Sequence, residues 1–572
     1  MDSVKFIQGI RAIRLQGTRE ERAIQHGKIV AALSPEERAA LALTPLSRKN
    51  QDLIAKSAQR LKGIGGVLSK FYEAFVLERM LELPTRYKKR LKPFAKASKI
   101  SDRTLWMALY QPDLLMVLAS MANDRVRNQF LQGMPGCTSG IYRTSEDSLL
   151  FLRNLDYPAA AHWEKFPTAF YHEPTDPGLL RFVSISSLGI HTSGLTGFNE
   201  AGIAFSLHAQ FSKKVSLKGA PVFFLGEDIL EQARSLEEAI RLCREFKTIG
   251  SWTINLASFQ ENRAASVELS EGRIHVREMR SAPGSLLAHS NGFESPAFRK
   301  NELHFNGSFF EDVRARKCAM EAVHPQTVVE ALNALSNHRD FETGEIRVFG
   351  NTVSVVTTIQ STVIDPAQAC FYLSRRDETP TSLGPYVRLP FRWEEIESDS
   401  DSVKATTSAD SVSPSTEWSQ EFLTALHAYH EAYVVWQVFD QRDWQGRSDV
   451  AHAYLLEATD TLPGDPHLWM QRGYFELLHA QYKVALGCFE KALDLKLSHH
   501  HRSVALYFKA ACLDLLGDRA NAVRHYGEVL SREPIDAKLQ KRARNRLEKP
   551  FQRAYCQKIE PDLQFVEPLQ YA

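Results

Sequence analysis

The sequence MPGCTSGIYRTSEDSLLFLRNLDYP, residues 134–158, contains two short apolar runs separated by polar residues. CTSGIY and DSLLFLR flank the polar segment RTSED, a pattern that predicts a β-hairpin turning within that segment. Pairing of its strands places Cys137 roughly opposite Asn154, with Arg153 adjacent and Asp156 just past the strand end. The hairpin therefore brings a thiol, a guanidinium and a carboxylate close together.

Cys137 lies where chain cleavage would create a nucleophile with its own base. A free thiol has a pKa of about 8.5, so a neighbouring base or cation must assist its ionisation at neutral pH. If the chain is cut before Cys137, its α-amine, with a pKa of about 7.7 to 8.0, can accept the thiol proton. Pro135 fixes one backbone angle, and Gly136 permits a strained geometry in which the thiol attacks the preceding carbonyl. The sequence thus predicts cleavage between Gly136 and Cys137.

A chain of 572 residues is too long for one compact core. Its first two thirds are predicted to form two blocks. Residues 1–136 are predicted to form a helical block, because apolar residues recur at three- and four-residue steps over 18–130. Residues 137–395 contain short β-rich runs with amphipathic helices near 226–246 and 327–337, which predicts a packed α+β domain.

The C-terminal third is predicted to be a separate helical unit. Residues 396–418 are acidic and serine-rich with almost no large apolar side chain, which predicts a flexible linker and an enzyme block that works without the remainder. Residues 419–550 contain two copies of a tetratricopeptide-like pattern, with a helical bundle as the alternative, and 551–572 form a tail. The repeat positions are Trp469, Gly473, Ala485, Phe489 and Ala492, then Ala510, Leu513, Ala522, Tyr526 and Pro534.

The segments CTSG and RNLDY resemble the cysteine branch of the N-terminal-nucleophile (Ntn) hydrolases, which includes penicillin acyltransferase and choloylglycine hydrolase. GFNEAGIAFS at 197–206 and AHSNGFESP at 288–296 support the resemblance, and GTREERAIQHGKIVAAL looks like the helical opening of the acyltransferase propeptide. The resemblance covers roughly residues 12 to 380. It implies a four-layer αββα sandwich preceded by a propeptide-like block that autocatalytic cleavage separates.

The resemblance also implies a role for each matching residue. Cys137 would be the nucleophile, with Arg153 beside its sulfur and Asp156 orienting the α-amine. Asn199 would donate to the tetrahedral oxyanion, and Asn291 would hold the amine or the transition state from the opposite side. A second arginine is expected in FFEDVRARK, where Arg314 is favoured over Arg316.

Two classes of function follow from these features. The first is an amidohydrolase or acyltransferase that acts on a small-molecule amide or acyl substrate through an acyl-cysteine, with acyl-CoA as the donor in a transferase. The second is a repeat-based scaffold that binds a protein partner and carries an inactive Ntn-like domain. Trp163, Phe166, Phe170 and Tyr171 either line an acyl pocket or cover the sheet, and a base could instead be sought among His191, His208 and His289.

Composition restricts the other classes of partner. A formal charge of +2 gives no field to attract nucleic acid or a membrane surface, and the apolar stretch from Leu114 to Ala122 is too short to span a bilayer, so a cytoplasmic location is expected. The seven scattered cysteines form no Cys-x-x-Cys pair, and the histidines at 499–501 have no second ligand cluster. No metal and no resident cofactor are therefore expected.

Overall fold

The computed structural model describes residues 3–48, 85–122, 127–128, 131, 136–192, 194–216, 218–377, 379–399, 411–438, 444–534 and 536–571. The predicted helices within 49–84, the residues directly before Gly136 and the centre of the predicted linker lie outside these ranges.

The front of the chain begins with strands, where the sequence analysis assigned the whole of 1–136 to a helical block. Ile10 and Ala12 are buried in β2 (Ile10–Gly17), which pairs in parallel with a strand some 150 residues later, through Arg11 and Thr168. The partner strand is remote in sequence, and the helical periodicity over 18–130 gives no sign of it. The described elements of this block are β1 (Val4–Ile7), β2 (Ile10–Gly17), α1 (Arg19–Ala31), α2 (Pro35–Ala40), α3 (Thr85–Ser98), α4 (Asp102–Leu109) and α5 (Gln111–Met121).

The region over 137–395, predicted from its short β-rich runs to be an α+β domain, contains both strands and helices. Its strands are β3 (Gly136–Arg143), β4 (Leu149–Asp156), β5 (Pro167–Pro174), β6 (Phe182–Ser187), β7 (Thr196–Asn199), β8 (Ile203–Gln210), β9 (Ser251–Ser258), β10 (Arg263–Ser270), β11 (Arg273–Glu278), β12 (Leu286–His289), β13 (Thr358–Asp365), β14 (Cys370–Ser374), β15 (Tyr386–Pro390) and β16 (Ser411–Val412). Its helices are α6 (Phe223–Gln232), α7 (Leu236–Glu245), α8 (Pro296–Arg299), α9 (Gly307–Glu321), α10 (Val328–Leu335) and α11 (Trp393–Asp399).

The strands form two sheets that face each other. One sheet has the order β1-β2-β5-β6-β7-β8-β9-β10-β11, and the other has the order β12-β3-β4-β13-β14-β15-β16. Side chains of both sheets meet in one apolar core, where the ring centroids of Phe198 in β7 and Phe371 in β14 are 5.4 Å apart. Helices α6 and α7 pack against the first sheet, and α9 and α10 pack against the second. The chain therefore has the mixed α and β architecture that the sequence predicts.

The β3–β4 hairpin forms as predicted, with its register shifted by one residue. Cys137 lies opposite Leu155, and Gly136 lies opposite Asp156, which is the last residue of β4. Because side chains alternate between the faces of a sheet, this shift places Arg153 on the same face as Cys137 and Asp156 on the other face. The register therefore decides which groups surround the thiol.

The C-terminal region is helical and consecutive helices pack against each other. Its helices are α12 (Gln420–Tyr433), α13 (Trp444–Thr461), α14 (Pro466–Leu478), α15 (Tyr482–Asp494), α16 (His499–Leu515), α17 (Arg519–Ser531), α18 (Ala537–Glu548) and α19 (Arg553–Cys556), with a π-helix at Val434–Val438. Their assignment as tetratricopeptide repeats stays a prediction.

These helices pack directly on the β-rich domain, contrary to the prediction that a flexible linker leaves the two parts independent. The amide of Val348 donates to Asp465 Oδ2 at 2.7 Å, and His467 Nδ1 donates to the carbonyl of Phe349 at 2.8 Å. The ring of Phe349 stacks on Tyr429 with centroids 4.3 Å apart. All five residues are buried, so the interface is part of the folded core.

In the part of the chain that the structure describes, no helix combines the length and the apolar character needed to cross a membrane.

Candidate active site

The thiol of Cys137 lies in β3 on the face that meets the nine-stranded sheet. Arg153 Nη2 donates to Cys137 Sγ at 3.3 Å and to the carbonyl of Leu207 at 2.8 Å. Its Nη1 donates to the carbonyl of Leu195 and to Thr196 Oγ1. The guanidinium is therefore held rigidly across the two sheets, where its charge favours a thiolate.

The other face of the hairpin meets α9 through a buried charge cluster. Arg316 Nε donates to Asp312 Oδ2 at 2.8 Å, and its Nη1 donates to the carbonyl of Cys137 at 3.0 Å and to Thr138 Oγ1 at 2.9 Å. The same Nη1 lies 3.7 Å from Asp156 Oδ2. One guanidinium therefore lies between two buried carboxyl groups and holds the main chain of the cysteine.

The main-chain nitrogen of Cys137 lies between two polar side chains. It donates to Asn291 Oδ1 at 2.9 Å, and Gly136 is so close to Asp156 that an added Cβ would lie 3.4 Å from Oδ2 of that aspartate. Asp156 Oδ1 accepts a hydrogen bond from Thr358 Oγ1 at 2.7 Å, whereas no group of the described residues donates to Oδ2. A buried acceptor is thus left open beside the bond that joins Gly136 to Cys137.

Burial governs the protonation of this cluster. It raises the pKa of the Cys137 thiol, an effect that the Arg153 guanidinium opposes. It also raises the pKa of Asp156 to about 6, against the lowering influence of Arg316 and of the Thr358 hydrogen bond. The thiol in the intact chain therefore needs a base before it can attack a carbonyl.

Arg314, the arginine that the sequence analysis favoured, is not part of the site. Its side chain is 69% exposed and pairs with Glu342, whereas that of Arg316 is 4% exposed. The helical period explains the difference. Arg316 follows Asp312 by four residues and shares its face of α9, while Arg314 lies on another face. This spacing in FFEDVRARK could have identified both Arg316 and the missed Asp312.

Asn199, expected to stabilise an oxyanion, instead closes the turn between β7 and β8. Its Nδ2 donates to the carbonyls of Leu230 and Ala233 at 3.1 and 2.7 Å. Its Oδ1 accepts from the amides of Ala201 and Ile203 at 3.1 and 3.0 Å. The amide is fully occupied by backbone groups, so the structure does not bring it to Cys137.

Among the described residues, no hydrogen bond joins the sulfur to a histidine considered as an alternative base; His208 and His289 are buried, and His191 is half-buried. His208 Nε2 lies 2.8 Å from Ser139 Oγ, two residues along from Cys137, and burial lowers the pKa of His191, His208 and His289. Among the described residues, Arg153 is the side chain hydrogen-bonded to the thiol. A cysteine–histidine dyad is therefore absent from the geometry seen in these ranges.

Two small cavities border the hairpin, one at Gly136 and one at Leu155, and each has about 20 Å³ of space, enough for one water molecule. The first is polar near the hairpin and apolar further out, and is lined by Leu131, Gly136, Asp156, Phe211, Asn291, Phe309, Asp312, Arg316, Val355, Gln564 and Phe565. The second is mainly apolar and is lined by Leu46, Ala108, Leu109, Leu155, Tyr157, Trp163, Ile190, Thr192, Leu195 and Phe223.

The aromatic residues that follow the hairpin contribute unequally to these cavities. Trp163 lines the apolar cavity. Phe166 packs under the guanidinium of Arg11 at 4.9 Å, and the Tyr171 hydroxyl donates to the carbonyl of Pro390 at 2.8 Å. Most of this group therefore covers the sheet.

The central part of the chain is similar to a known acyltransferase family. A family model described as acyl-coenzyme A:6-aminopenicillanic acid acyl-transferase matches residues 143–378, which is less than half of the chain. The match begins after Cys137 and includes Arg153, Asp156, Asn291 and Arg316.

Among solved structures, the chain is similar to a Caenorhabditis elegans N-acylethanolamine-hydrolyzing acid amidase (NAAA) ortholog. The two share 17% sequence identity with a TM-score of 0.30, over 40% of this chain and 93% of that chain. No curated protein matches the sequence.

Proposed function

We propose that the protein is an Ntn cysteine enzyme, with the αββα core of that class, which cleaves or transfers amide acyl groups through an acyl-Cys137 intermediate. The observation that carries this proposal is the pair of contacts at one residue. Arg153 lies 3.3 Å from the sulfur, and Asn291 accepts from the main-chain nitrogen of the same cysteine. A purely structural buried cysteine requires neither contact. The family-model match over residues 143–378 supports the same chemistry.

Activation begins with attack of Cys137 Sγ on the carbonyl of Gly136. The carbon–nitrogen bond breaks as the carbon–sulfur bond forms, and the thiol proton passes to the departing nitrogen. Water then hydrolyses the thioester, which frees the Gly136 carboxylate and the thiol. The new α-amine has a basic lone pair, whereas that of the amide nitrogen was delocalised into the carbonyl, and the open Oδ2 of Asp156 suits the protonated amine.

Turnover uses the amine and the thiol of the same residue. The α-amine accepts the thiol proton, and the thiolate beside Arg153 attacks the substrate carbonyl. The ammonium returns the proton to the leaving nitrogen as the carbon–nitrogen bond breaks, leaving a thioester. Asn291 is the best oxyanion donor, because its Nδ2 uses one N–H on the carbonyl of Ala209 at 3.0 Å and keeps the second available among the described residues.

The fate of the thioester decides between the two activities. Water gives an amidohydrolase, and an amine gives an acyltransferase with acyl-CoA as its donor. The apolar cavity near Leu155 and Trp163 lies on the thiol side of the hairpin, because Leu155 is directly opposite Cys137.

The experiment combines turnover with trapping of the intermediate. Purified protein is incubated with N-acyl amides and acyl-CoA thioesters, and the Cys137 peptide is examined by mass spectrometry after acid quenching. We expect an acyl mass on Cys137, and loss of turnover in Cys137→Ala. Cys318→Ala serves as the matched control, because Cys318 is half-buried on α9. Unchanged turnover in Cys137→Ala would contradict the proposal.

A further inference from the structure

The C-terminal tail, residues 557–571, is held by the helices that precede it. Gln471 Nε2 in α14 donates to the carbonyl of Phe565 at 2.9 Å, and the Tyr429 hydroxyl in α12 donates to the carbonyl of Leu563 at 2.8 Å. Both of these tail residues are buried. The C-terminal helices therefore fix the main chain of the tail.

Glu567 of this tail lies at the first turn of α9. Its Oε2 accepts from the amide of Ser308 at 3.3 Å, and its carbonyl accepts from Nδ2 of Asn306, the N-cap residue, at 3.4 Å. The first amides of a helix have no partner within the helix, and the helix dipole favours a negative charge at this end. The tail therefore adds to α9 a cap from a remote part of the chain.

Further contacts fix the carboxylate of Glu567. Its Oε2 lies 2.9 Å from Nε2 of His500 in α16, and the Tyr571 hydroxyl donates to its Oε1 at 2.5 Å. Burial opposes ionisation of Glu567, but the hydrogen bond with His500 and the charges of His500 and Arg542 lower its pKa to about 2. His500 also packs directly on Gly307, where an added Cβ would overlap the imidazole. The tail, α16 and the start of α9 are thus in close contact.

Two turns further along, α9 presents Arg316 to the cysteine. Arg316 Nη1 donates to the carbonyl of Cys137 at 3.0 Å and to Thr138 Oγ1 at 2.9 Å. Arg316 follows Ser308 by eight residues, which is a rise of about 12 Å along the helix. Because a short helix moves as a rigid element, a shift at its first turn also displaces the guanidinium.

We propose that Glu567 of the C-terminal tail is a positioning residue for the site. Through α9 it sets Arg316 against the main chain of Cys137, so that chain cleavage requires the docked tail. This inference rests on the proposed function, because cleavage before Cys137 is part of that proposal. It gives the C-terminal helices a role in maturation, since they hold the tail that caps α9.

The test compares Glu567→Gln with Asp562→Asn, a matched change in the same tail. Both variants remove one buried carboxylate with little change of volume. Asp562 Oδ1 accepts from Gln437 Nε2 at 2.8 Å in the π-helix, whereas Glu567 accepts from the first turn of α9. Each full chain is made by cell-free translation, and cleavage before Cys137 is followed over time by intact mass. Urea unfolding gives the stability of each variant.

We expect Glu567→Gln to slow cleavage of the folded chain roughly 3- to 10-fold, because it removes the negative charge at the start of α9. Asp562→Asn should change the cleavage rate less than about twofold, even where it lowers stability as much. Equal slowing by the two tail variants would overturn the inference.

A double-mutant cycle separates positioning from general loosening. Arg316→Lys retains a positive charge on α9 and is combined with each tail variant. Changes at distant sites without a shared partner have additive effects. We therefore expect non-additive slowing of cleavage for Glu567→Gln with Arg316→Lys, and additive slowing for Asp562→Asn with Arg316→Lys. Additive effects in both cycles would overturn the inference.

Hydrogen exchange of the α9 amides reports the same contact without any cleavage. In the Cys137→Ala chain, Glu567→Gln should speed exchange from Ser308 to Arg316 more than Asp562→Asn does. That result in a protein whose wild type is never cut would keep the positioning of α9 by the tail and refute the proposed maturation. A wild type that is cut, with α9 exchange and cleavage both indifferent to Glu567, would keep the proposed function and refute this inference.

Discussion

Replacing Arg316 by methionine should destabilise the protein far more than the same change at Arg314. Arg316 is buried between Asp312, at 2.8 Å, and Asp156, at 3.7 Å, and removing one partner of a buried pair costs about 3 to 5 kcal/mol. Arg314 has one exposed partner, Glu342, and such pairs contribute about 0 to 1 kcal/mol. The expected difference is therefore about 2 to 5 kcal/mol.

The difference in the free energy of unfolding between Arg316→Met and Arg314→Met should depend on pH. Burial raises the pKa of Asp156 to about 6 in the folded protein, above its usual value of about 3.9 in an unfolded chain. The neutral carboxyl of Asp156 therefore stabilises the folded protein below about pH 4, and this stabilisation is lost as pH rises through about 6, the pKa in the folded protein. Without Arg316 that pKa rises further, so the cost of Arg316→Met should shrink between pH 8 and pH 5.

The assay is urea unfolding of both methionine variants at several pH values, with intact mass recorded for each. Arg316→Lys is included because it retains the charge and folds more readily than the methionine variant. Loosening of the Cys137 carbonyl, which Arg316 holds at 3.0 Å, should also slow chain cleavage. Equal stability of Arg316→Met and Arg314→Met across the pH range would refute the buried charge cluster.

Three further changes test other parts of the site. Asp156→Asn should slow chain cleavage and turnover with little loss of stability. The Asn side chain keeps the acceptor for Thr358 but places an N–H donor where the carboxylate would pair with the amine. Complete cleavage of this variant, measured by intact mass, would show that Asp156 is not part of the site. Asn199→Ala should lower the free energy of unfolding in urea by roughly 2 to 4 kcal/mol, because it leaves buried backbone groups unpaired. The kcat of the folded fraction should change less than threefold. A 100-fold loss of kcat would instead support the predicted role of Asn199 as an oxyanion donor. A chain ending at residue 399 should be insoluble or inactive, because it exposes the ring of Phe349; a soluble, active product would contradict the packed interface.

Local patterns predicted much of the β3–β4 hairpin. Alternating residues and a polar turn were enough to identify β3 and β4 and to bring Arg153 to Cys137. The register differed by one residue because strand length alone does not fix where the turn begins. For Arg316, the four-residue spacing from Asp312 contained the answer, and only the choice between neighbouring arginines was wrong.

Long-range packing accounts for what the sequence did not predict. β2 is a strand because it joins β5 across some 150 residues, and helical periodicity nearby gave no indication of that partner. Asn199 lies in a segment that resembles the Ntn cysteine hydrolases. Its side-chain amide nevertheless donates to the carbonyls of Leu230 in α6 and of Ala233 directly after α6. Phe565 lines a cavity beside Gly136 and contacts Gln471 and Phe309, two residues that are remote from it in sequence, so no local pattern predicts its position.

Intact-mass measurement of the purified wild-type chain tests the proposed maturation directly. The open Oδ2 of Asp156 and the contact of the Cys137 nitrogen with Asn291 predict two associated fragments, residues 1–136 and 137–572, and one uncut chain for Cys137→Ala. A wild-type chain that stays intact while it turns over an amide in a reaction that requires Cys137 would contradict the α-amine mechanism.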